Sequence, residues 1–381
     1  MKEVNVSLKF VTPAFIGAVE NKIVSEFRLP SLKGLLRFWW RAYQDFSDET
    51  KLYEAESQIF GDTTCKAKFS ISLKQPLQSL IRNSNSQKQA FSINQAGIRY
   101  LFYSMYKMGK SPGRINWIEP GTTVDLQFRF FNKQGAKEVI TALWWLENLG
   151  GIGARARRGA GSFRVTKIEP IEEIQEIPQF MCQKWSPKTE KIIENVLGFL
   201  ESGINKSYCP NSLQVPSYTA FRRSISKYKV LSLGRYTSWE KAADDIGTKL
   251  CEFPDPPRPP HSARFPNGGR ALHSFASSGI YPKHGSNPLD RSAIGLPIQY
   301  YFRDRLQVEA LGSVHSRRAS PLFIKIGYLP DENKYYVVVS ALWSKFLPDG
   351  ERVKILKKDP DAEHYLKQPD NFVIDDFLNS L

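Results

Sequence analysis

The sequence is poor in the residues that most often build metal and disulfide sites. Its four cysteines, Cys65, Cys182, Cys209 and Cys251, stand far apart. No two form a CxxC pair and none has a histidine at ligand spacing, which argues against zinc and against a disulfide framework. Reduced, structural thiols are expected. Histidine is nearly as scarce: the five are His261, His273, His284, His315 and His364, so the first 260 residues hold no imidazole. No run of 18 apolar residues exists, so no membrane-spanning helix is expected. The start, MKEVNVSLKF, alternates and lacks the apolar block of a signal peptide, which points to a cytoplasmic protein. No G-x-x-x-x-G-K-[ST] string occurs, which excludes a P-loop. Neither a cofactor nor a metal ion is expected.

Acid is also in short supply. Lys and Arg number 53 against 38 Asp and Glu, a net charge of +15. Such an excess fits a polyanionic partner, nucleic acid or an anionic membrane surface. No basic amphipathic helix with a free apolar face is evident, which favours nucleic acid and no membrane; the alternative is a generally basic protein. Within 381 residues, 41% hydrophobic, there is enough chain for two compact domains.

VNVSLKFVTP alternates and ends at Pro13, as a strand does. LPSLKGLLRFWWRAYQDF reads as a helix with Ser31 as a plausible N-cap and a core face of Leu32, Leu35, Leu36, Trp39 and Tyr43. AKFSISLKQ reads as a second strand, and AGIRYLFYSMYKM is ambiguous. TTVDLQFRFF is a clear strand with Val124, Leu126, Phe128 and Phe130 on one face. A helix over 136–149 and a strand at SFRVTKIEP follow. The order matches a ferredoxin-like βαββαβ unit with an antiparallel sheet, a frequent RNA-binding architecture, although fold alone licenses no function. The acidic stretch EPIEEIQEIPQF suggests a linker. SPKTEKIIENVLGFLESG and SWEKAADDIGTKLCEF read as helices. Five prolines within 254–260 forbid regular structure, and a long mobile loop is expected over about 254–292. GLPIQYYFR, SPLFIKIGYL and KYYVVVSALW read as strands. The expected fold class is therefore α+β: a domain over 1–170, a linker over 171–186 and a decorated second ferredoxin-like unit over 187–381.

Two cationic elements mark the first domain. Lys33, Arg37 and Arg41 lie four apart on one helical stripe, with Trp40 beside them and no acid from Arg28 to Gln44. This is either a solvated basic face or a track for a nucleic-acid backbone, with Trp40 stacking on a base. The second is GGIGARARRGAGSFR, which has no acid between Glu147 and Glu169. A dinucleotide fingerprint runs strand, glycines, helix; here the order is helix, glycines, strand, which excludes it. Glycines at 151, 153, 159 and 161 free backbone amides to face an oxyanion. Arg155, Arg157 and Arg158 add forked donors suited to phosphate. The bland reading is a glycine-capped turn with incidental arginines. Arg317, Arg318 and Lys325 form a third basic group that would extend this surface; Arg318 pairing with Glu309 or Asp304 is the alternative.

Together TPAFIG (12–17), PSLKGLLRFWWR (30–41) and GGIGARARRGAGSF (150–163) resemble the RAMP superfamily of CRISPR proteins. Within it they are most similar to the family of first subunits of type III-B (Cmr) effector complexes. IGLPI (294–298) and RRASPL (317–322) are weaker echoes. The resemblance implies two tandem ferredoxin-like domains. It implies a non-catalytic, RNA-binding subunit at one end of a ribonucleoprotein, near the crRNA 3′ end and the captured single-stranded target RNA, with other Cmr subunits as partners. Carried over by position, Lys33, Arg37, Trp40 and Arg41 fit its basic helix. Gly151, Gly153, Arg155, Arg157, Arg158, Gly159 and Gly161 fit its glycine-rich loop.

Two other functions stand beside this one. Some relatives are metal-independent endoribonucleases that process crRNA, which need a general base and a cation for the phosphate; His273, Tyr281 and Lys283 are the candidates. Asp244 and Asp245 are a candidate metal pair, with a surface charge cluster as the plainer reading. The third function is a purely architectural subunit whose basic surface binds protein.

Overall fold

Alternation in KEVNVSLKF produces a strand with one apolar face. In β1 (Lys2–Phe10), Val4, Val6, Leu8 and Phe10 are buried, while Glu3, Asn5, Ser7 and Lys9 line the other face. The computed structural model describes residues 2–17, 27–44, 46, 48–74, 91–106, 117–169, 217–221, 226–253, 275–279, 290–296, 298–301, 307–342, 344–358, 361–368 and 372–381. The expected linker, the expected helix after Ser186, most of the 254–292 loop, and His273, Tyr281 and Lys283 lie outside the described residues.

Helix α1 (Leu29–Tyr43) begins earlier than expected. Arg28 takes the N-cap position without a side-chain bond, and Ser31 lies inside the first turn. Pro30 is tolerated there because its missing N–H would have no helical partner. An unexpected helix, α2 (Glu49–Phe60), is capped by Asp48, whose carboxylate accepts the Thr50 N–H at 2.8 Å. The ambiguous apolar stretch gives a short helix, α3 (Ala96–Leu101). With β2 (Phe69–Leu73), β3 (Thr123–Phe130), α4 (Lys133–Leu149) and β4 (Phe163–Glu169), the first half forms one antiparallel sheet in the order β2-β3-β1-β4. That is the strand order of a βαββαβ unit. Val124, Leu126, Phe128 and Phe130 are buried on one face, as read from the alternation. The other face is polar: Arg129 pairs with Glu3 at 2.8 Å and Ser7 donates to Asp125 at 2.5 Å. It lacks the aromatic platform with which such sheets stack RNA bases.

The second half contains β5 (Lys227–Tyr236), α5 (Trp239–Glu252), β6 (Ile298–Tyr301), β7 (Gln307–Gly312), β8 (Leu322–Leu329), β9 (Lys334–Ala341), β10 (Val353–Lys358), β11 (Asp361–Leu366) and α6 (Phe372–Ser380). Its strands form two antiparallel sheets, β5-β9-β8 and β11-β10-β7-β6. The three strands β5-β9-β8 follow the connectivity of the first three strands of the N-terminal sheet; no fourth strand lies among the described residues. No helix among them is long and apolar enough to cross a membrane.

The hydrophobic clusters cross between the halves. Trp39, Trp145 and Val4 share a cluster with Phe323, Tyr336 and Val338, and α3 packs its Ile98 and Leu101 with Ile246 and Leu250 of α5. Charge crosses as well. Lys325 of β8 is 3% exposed and donates to the Phe163 carbonyl at 2.6 Å. Glu147 of α4, also buried, accepts the Val165 N–H at 2.7 Å.

Burial raises the Glu147 carboxyl to about 7, against the Val165 N–H and the nearby Lys325 and Arg164 cations. Burial likewise lowers Lys325 to about 7, opposed by Glu147. The folded protein thus holds the Glu147 proton more tightly than the unfolded chain, whose carboxyl titrates near 4.5. This contributes stability below that value that is lost as pH rises to about 7. Lys325, lowered to about 7, is charged in both states over the lower part of this window, where the slope belongs to Glu147. Urea unfolding between pH 4.5 and 7 is therefore expected to show a falling component in stability that Glu147→Gln removes; an identical pH profile in the variant contradicts the assignment.

Candidate nucleic-acid interface

The loop between α4 and β4 is a seam between the halves, held by buried hydroxyls. Thr12 donates to the Gly159 carbonyl at 2.7 Å and accepts the Ser162 N–H at 2.9 Å. The Ser162 hydroxyl donates to the same carbonyl at 3.0 Å and accepts the Ile326 N–H of β8 at 3.2 Å. Backbone bonds add to it. Gly161 N–H reaches Pro13 O at 2.8 Å, Ala154 N–H reaches Phe15 O at 2.8 Å, and Ile324 N–H reaches Arg157 O at 3.1 Å. Arg158 forms a parallel bridge with Ile324, covering the outer edge of β8. The TPAFIG segment and the glycine loop are thus one construction.

This closes part of the expected amide cradle. The amides of Ile152, Ala154, Arg158, Ala160, Gly161 and Ser162 are all bonded within the seam, so they form no cradle for an oxyanion. The glycines serve close packing. At Gly161 φ is +62° and an added Cβ would collide with the Ile152 carbonyl. At Gly151 it would meet the Ala160 carbonyl at 2.8 Å.

The anion-attracting groups are side chains. Arg157 donates to the Ser320 carbonyl, with its guanidinium 5.4 Å from the Phe38 ring and 4.6 Å from the Phe323 ring. Arg158 makes long bonds, both 3.5 Å, to the Leu322 and Ile294 carbonyls. Arg318 donates to Phe346 O at 2.7 Å, to Ser344 Oγ at 2.6 Å and to Ala319 O. Arg155, held at φ +60°, donates to Tyr103 O at 2.9 Å and lies 5.7 Å from that ring. Among the described residues none of these four cations faces a carboxylate: Arg318 donates to carbonyls and a hydroxyl and not to Glu309, and Asp304 lies outside the described residues. They converge on a cleft of about 780 Å³, walled by Leu35, Phe38 and Trp39 of α1 and by Ile294, Leu296, Ile298, Ser320 and Phe323 of the second half.

Burial lowers all four guanidiniums from their ordinary range, Arg157 and Arg158 to about 10. Arg157 is lowered further by Arg318 and Arg158, and Arg158 by Arg155. All stay cationic at neutral pH, desolvated and mutually repelling. Each has five N–H donors, and the bonds above leave several unused. The unbalanced charge favours entry of an anion.

The basic stripe on α1 lies elsewhere. Arg37 and Arg41 share Glu56 of α2 at 2.9 and 2.5 Å, and Arg37 also donates to Phe60 O and Gly61 O. The anion missing from the local sequence comes from the next helix, so these two arginines dock α2. Trp40 is 2% exposed and its Nε1 donates to Glu138 Oε2 at 2.8 Å, which denies it a base to stack on. Lys33 alone keeps a half-buried ammonium with no acid, over the Phe69 ring at 5.5 Å. The stripe and the arginine loop line different cavities with no residue in common.

Of the third basic group, Arg318 joins the cleft, Arg317 is exposed beside it, and Lys325 is buried in the junction. Asp244 accepts the Gly97 N–H at 2.8 Å and Asp245 pairs with Lys249 at 2.9 Å, so both act in packing α3 and closing a surface pair. Sequence reasoning missed Phe38, Phe323, Tyr100 and Tyr103. The one local signal for Phe38 was its place within the helix motif; the others come from distant segments.

Residues 7–164 match the family model of the RAMP superfamily. The CRISPR system Cmr subunit Cmr1-1 of Pyrococcus furiosus is 27% identical over 245 residues, 62% of this chain and 68% of that protein. The crystal structure of apo Cmr1 from the same organism shares the fold, with a TM-score of 0.57 at 19% identity over 100% of this chain and 97% of that one. A chain of the type III-B Cmr-beta complex, solved by cryo-EM with cognate target RNA and AMPPnP in the presence of ssDNA, gives 0.54 at 12% identity, over 99% and 98%. The chain is thus similar to Cmr subunits of type III-B CRISPR systems, as its three motifs suggested.

Two substitutions check the seam and the corrected tryptophan. Gly161→Ala combines a left-handed φ with a backbone collision and is expected to lower stability by at least about 2 kcal/mol in urea unfolding. Trp40→Phe is expected to cost about 2 kcal/mol through the lost bond and a small cavity, while single-stranded RNA affinity stays unchanged.

Proposed function

We propose that this chain is a non-catalytic RNA-binding subunit of a type III-B CRISPR effector complex acting in the cytoplasm, and that the cleft of Arg155, Arg157, Arg158 and Arg318 holds a single-stranded RNA backbone. The observation that carries the proposal is that cleft: four half-buried cations with no carboxylate among the described residues. Phosphates supply the missing charge, and Tyr103 and Phe38 offer rings beside it. The RAMP match and the similarity to a Cmr subunit support the setting. A structurally similar chain comes from a Cmr-beta complex bound to cognate target RNA, which supports target RNA as a ligand and other Cmr subunits as partners; crRNA as a second ligand rests on the resemblance of the three sequence motifs. The exposed Arg317 extends the cationic rim. The strand order of the first sheet and its partial repetition in β5-β9-β8 support two ferredoxin-like units over 1–170 and 187–381.

The cleft's chemistry favours binding over cleavage. Among the described residues its lining has no histidine, lysine or carboxylate, so no general base stands near the arginines. Incubating the pure protein with repeat RNA, with and without EDTA, is expected to leave the RNA intact.

Replacing Arg157 and Arg318 by Gln removes charge while keeping donors for the Ser320 and Phe346 carbonyls. Titration with single-stranded RNA is expected to show weaker binding and a log–log salt slope smaller by about 1.4, at about 0.7 per phosphate contact. Unchanged affinity and slope in a folded variant would reject the cleft as the RNA site.

A further inference from the structure

A second cavity, of about 750 Å³, lies on another flank of α1. Lys33 and Arg37 of α1, Tyr53 and Phe60 of α2 and the turn Gly61–Ala67 bound it, and none of these residues touches the arginine cleft. Asp62 is the one acid among its lining residues. Glu56 is shared by Arg37 and Arg41. The Asp62 carboxylate accepts the Thr64 N–H at 2.7 Å, the Thr64 hydroxyl at 2.8 Å and the Cys65 N–H at 2.7 Å, bonds that hold its carboxyl at about 2.

Its two lysines are uncommitted. The Lys33 ammonium has a ring beneath it and neither a carboxylate nor a carbonyl partner among the described residues; burial and then Arg37 lower it. Lys66 lines the same cavity, is exposed and is equally unpartnered among the described residues. Tyr53, 57% exposed, stands at the same opening. A large exposed ring next to two compact ammoniums suits a ligand whose negative charge sits beside a flat aromatic group. A nucleotide has that form, whereas acidic side chains carry no ring.

We infer that this groove is a second RNA-binding site, in which Lys33 and Lys66 hold a phosphate of single-stranded RNA and Tyr53 stacks a base. It is separate from the arginine cleft and stands without it. A strand crossing α1, about 10–12 Å wide with its side chains, would reach both sites.

The test is photo-crosslinking of a 20-nucleotide, 4-thiouridine-substituted RNA to the full-length protein, with peptide mapping, beside salt-dependent titrations. An adduct on the α2 peptide carrying Tyr53 is expected. It should persist in the Arg157→Gln/Arg318→Gln variant, which separates this groove from the cleft, and disappear in Lys33→Ala/Lys66→Ala. The lysine variant should also lose about 0.7 to 1.4 from the salt slope, and Tyr53→Ala about tenfold in affinity, with Tyr53→Phe restoring it. No adduct at Tyr53 in the unaltered protein, or an adduct and slope untouched by the lysine replacements, overturns the site. Displacement of the RNA from Tyr53 by polyglutamate at equal charge concentration overturns the RNA assignment in favour of an acidic protein segment.

Discussion

The buried relay through Thr12, Gly159, Ser162 and Ile326 is the constraint on which the architecture depends. It joins the segment after β1, the glycine loop and β8 in one chain of bonds between 2.7 and 3.2 Å. Hydroxyls can do this because each donates and accepts at once. Thr12 and Ser162 are 0% exposed, so neither can exchange its partners for water. An unmade bond in such a place leaves a buried polar group unsatisfied, which costs about 1–3 kcal/mol. The relay therefore specifies how the two halves meet, and the loop's glycines follow from it: backbone this close to backbone has no room for Cβ atoms.

Charge is distributed by the same junction. Within the first half, Glu56 from a neighbouring helix balances Arg37 and Arg41. At the seam the arginines meet carbonyls and rings instead. Carbonyl dipoles and ring quadrupoles lessen the desolvation of a guanidinium without cancelling its charge. Arg157, Arg158 and Arg318 are thereby fixed in position and left electrostatically open. A phosphate-binding site needs both properties, since fixed donors lose little freedom when the ligand arrives.

The sequence revealed the elements whose signals are local. Alternation located β1 and β3 with their buried faces, Ser238 and the following periodicity located α5, and helix–glycine–strand order placed the loop correctly. What stayed hidden was set by contacts between distant segments. The α1 stripe seemed unbalanced because Glu56 lies on a helix with a weak apolar pattern. Trp40 seemed free because α1 buries two flanks, one on the sheet and another on α4, where Glu138 waits for its indole N–H. Strands β7, β10 and β11 are short, and VKILKK and DAEHYL carry too many charges for a plain alternation. The cleft itself is assembled from residues more than 130 apart, with Arg158 reaching Ile294 and Leu322, and no window of sequence displays that.

The polar outer face of the first sheet bears on how such a domain meets RNA. A βαββαβ sheet that reads bases does so with aromatic rings on its open face; here Arg129 pairs with Glu3 on that face and Asp125 accepts from Ser7. The four unbalanced arginines lie instead at the junction with the second half. Arg157 stands between Phe38 from one half and Phe323 from the other, so an anion held there interacts with both halves at once. By linkage, whatever favours binding in that cleft favours the juxtaposition of the halves, and the reverse holds by the same free energy. Fold and binding surface are thus coupled through one side chain, which explains why the arginine loop occupies the seam.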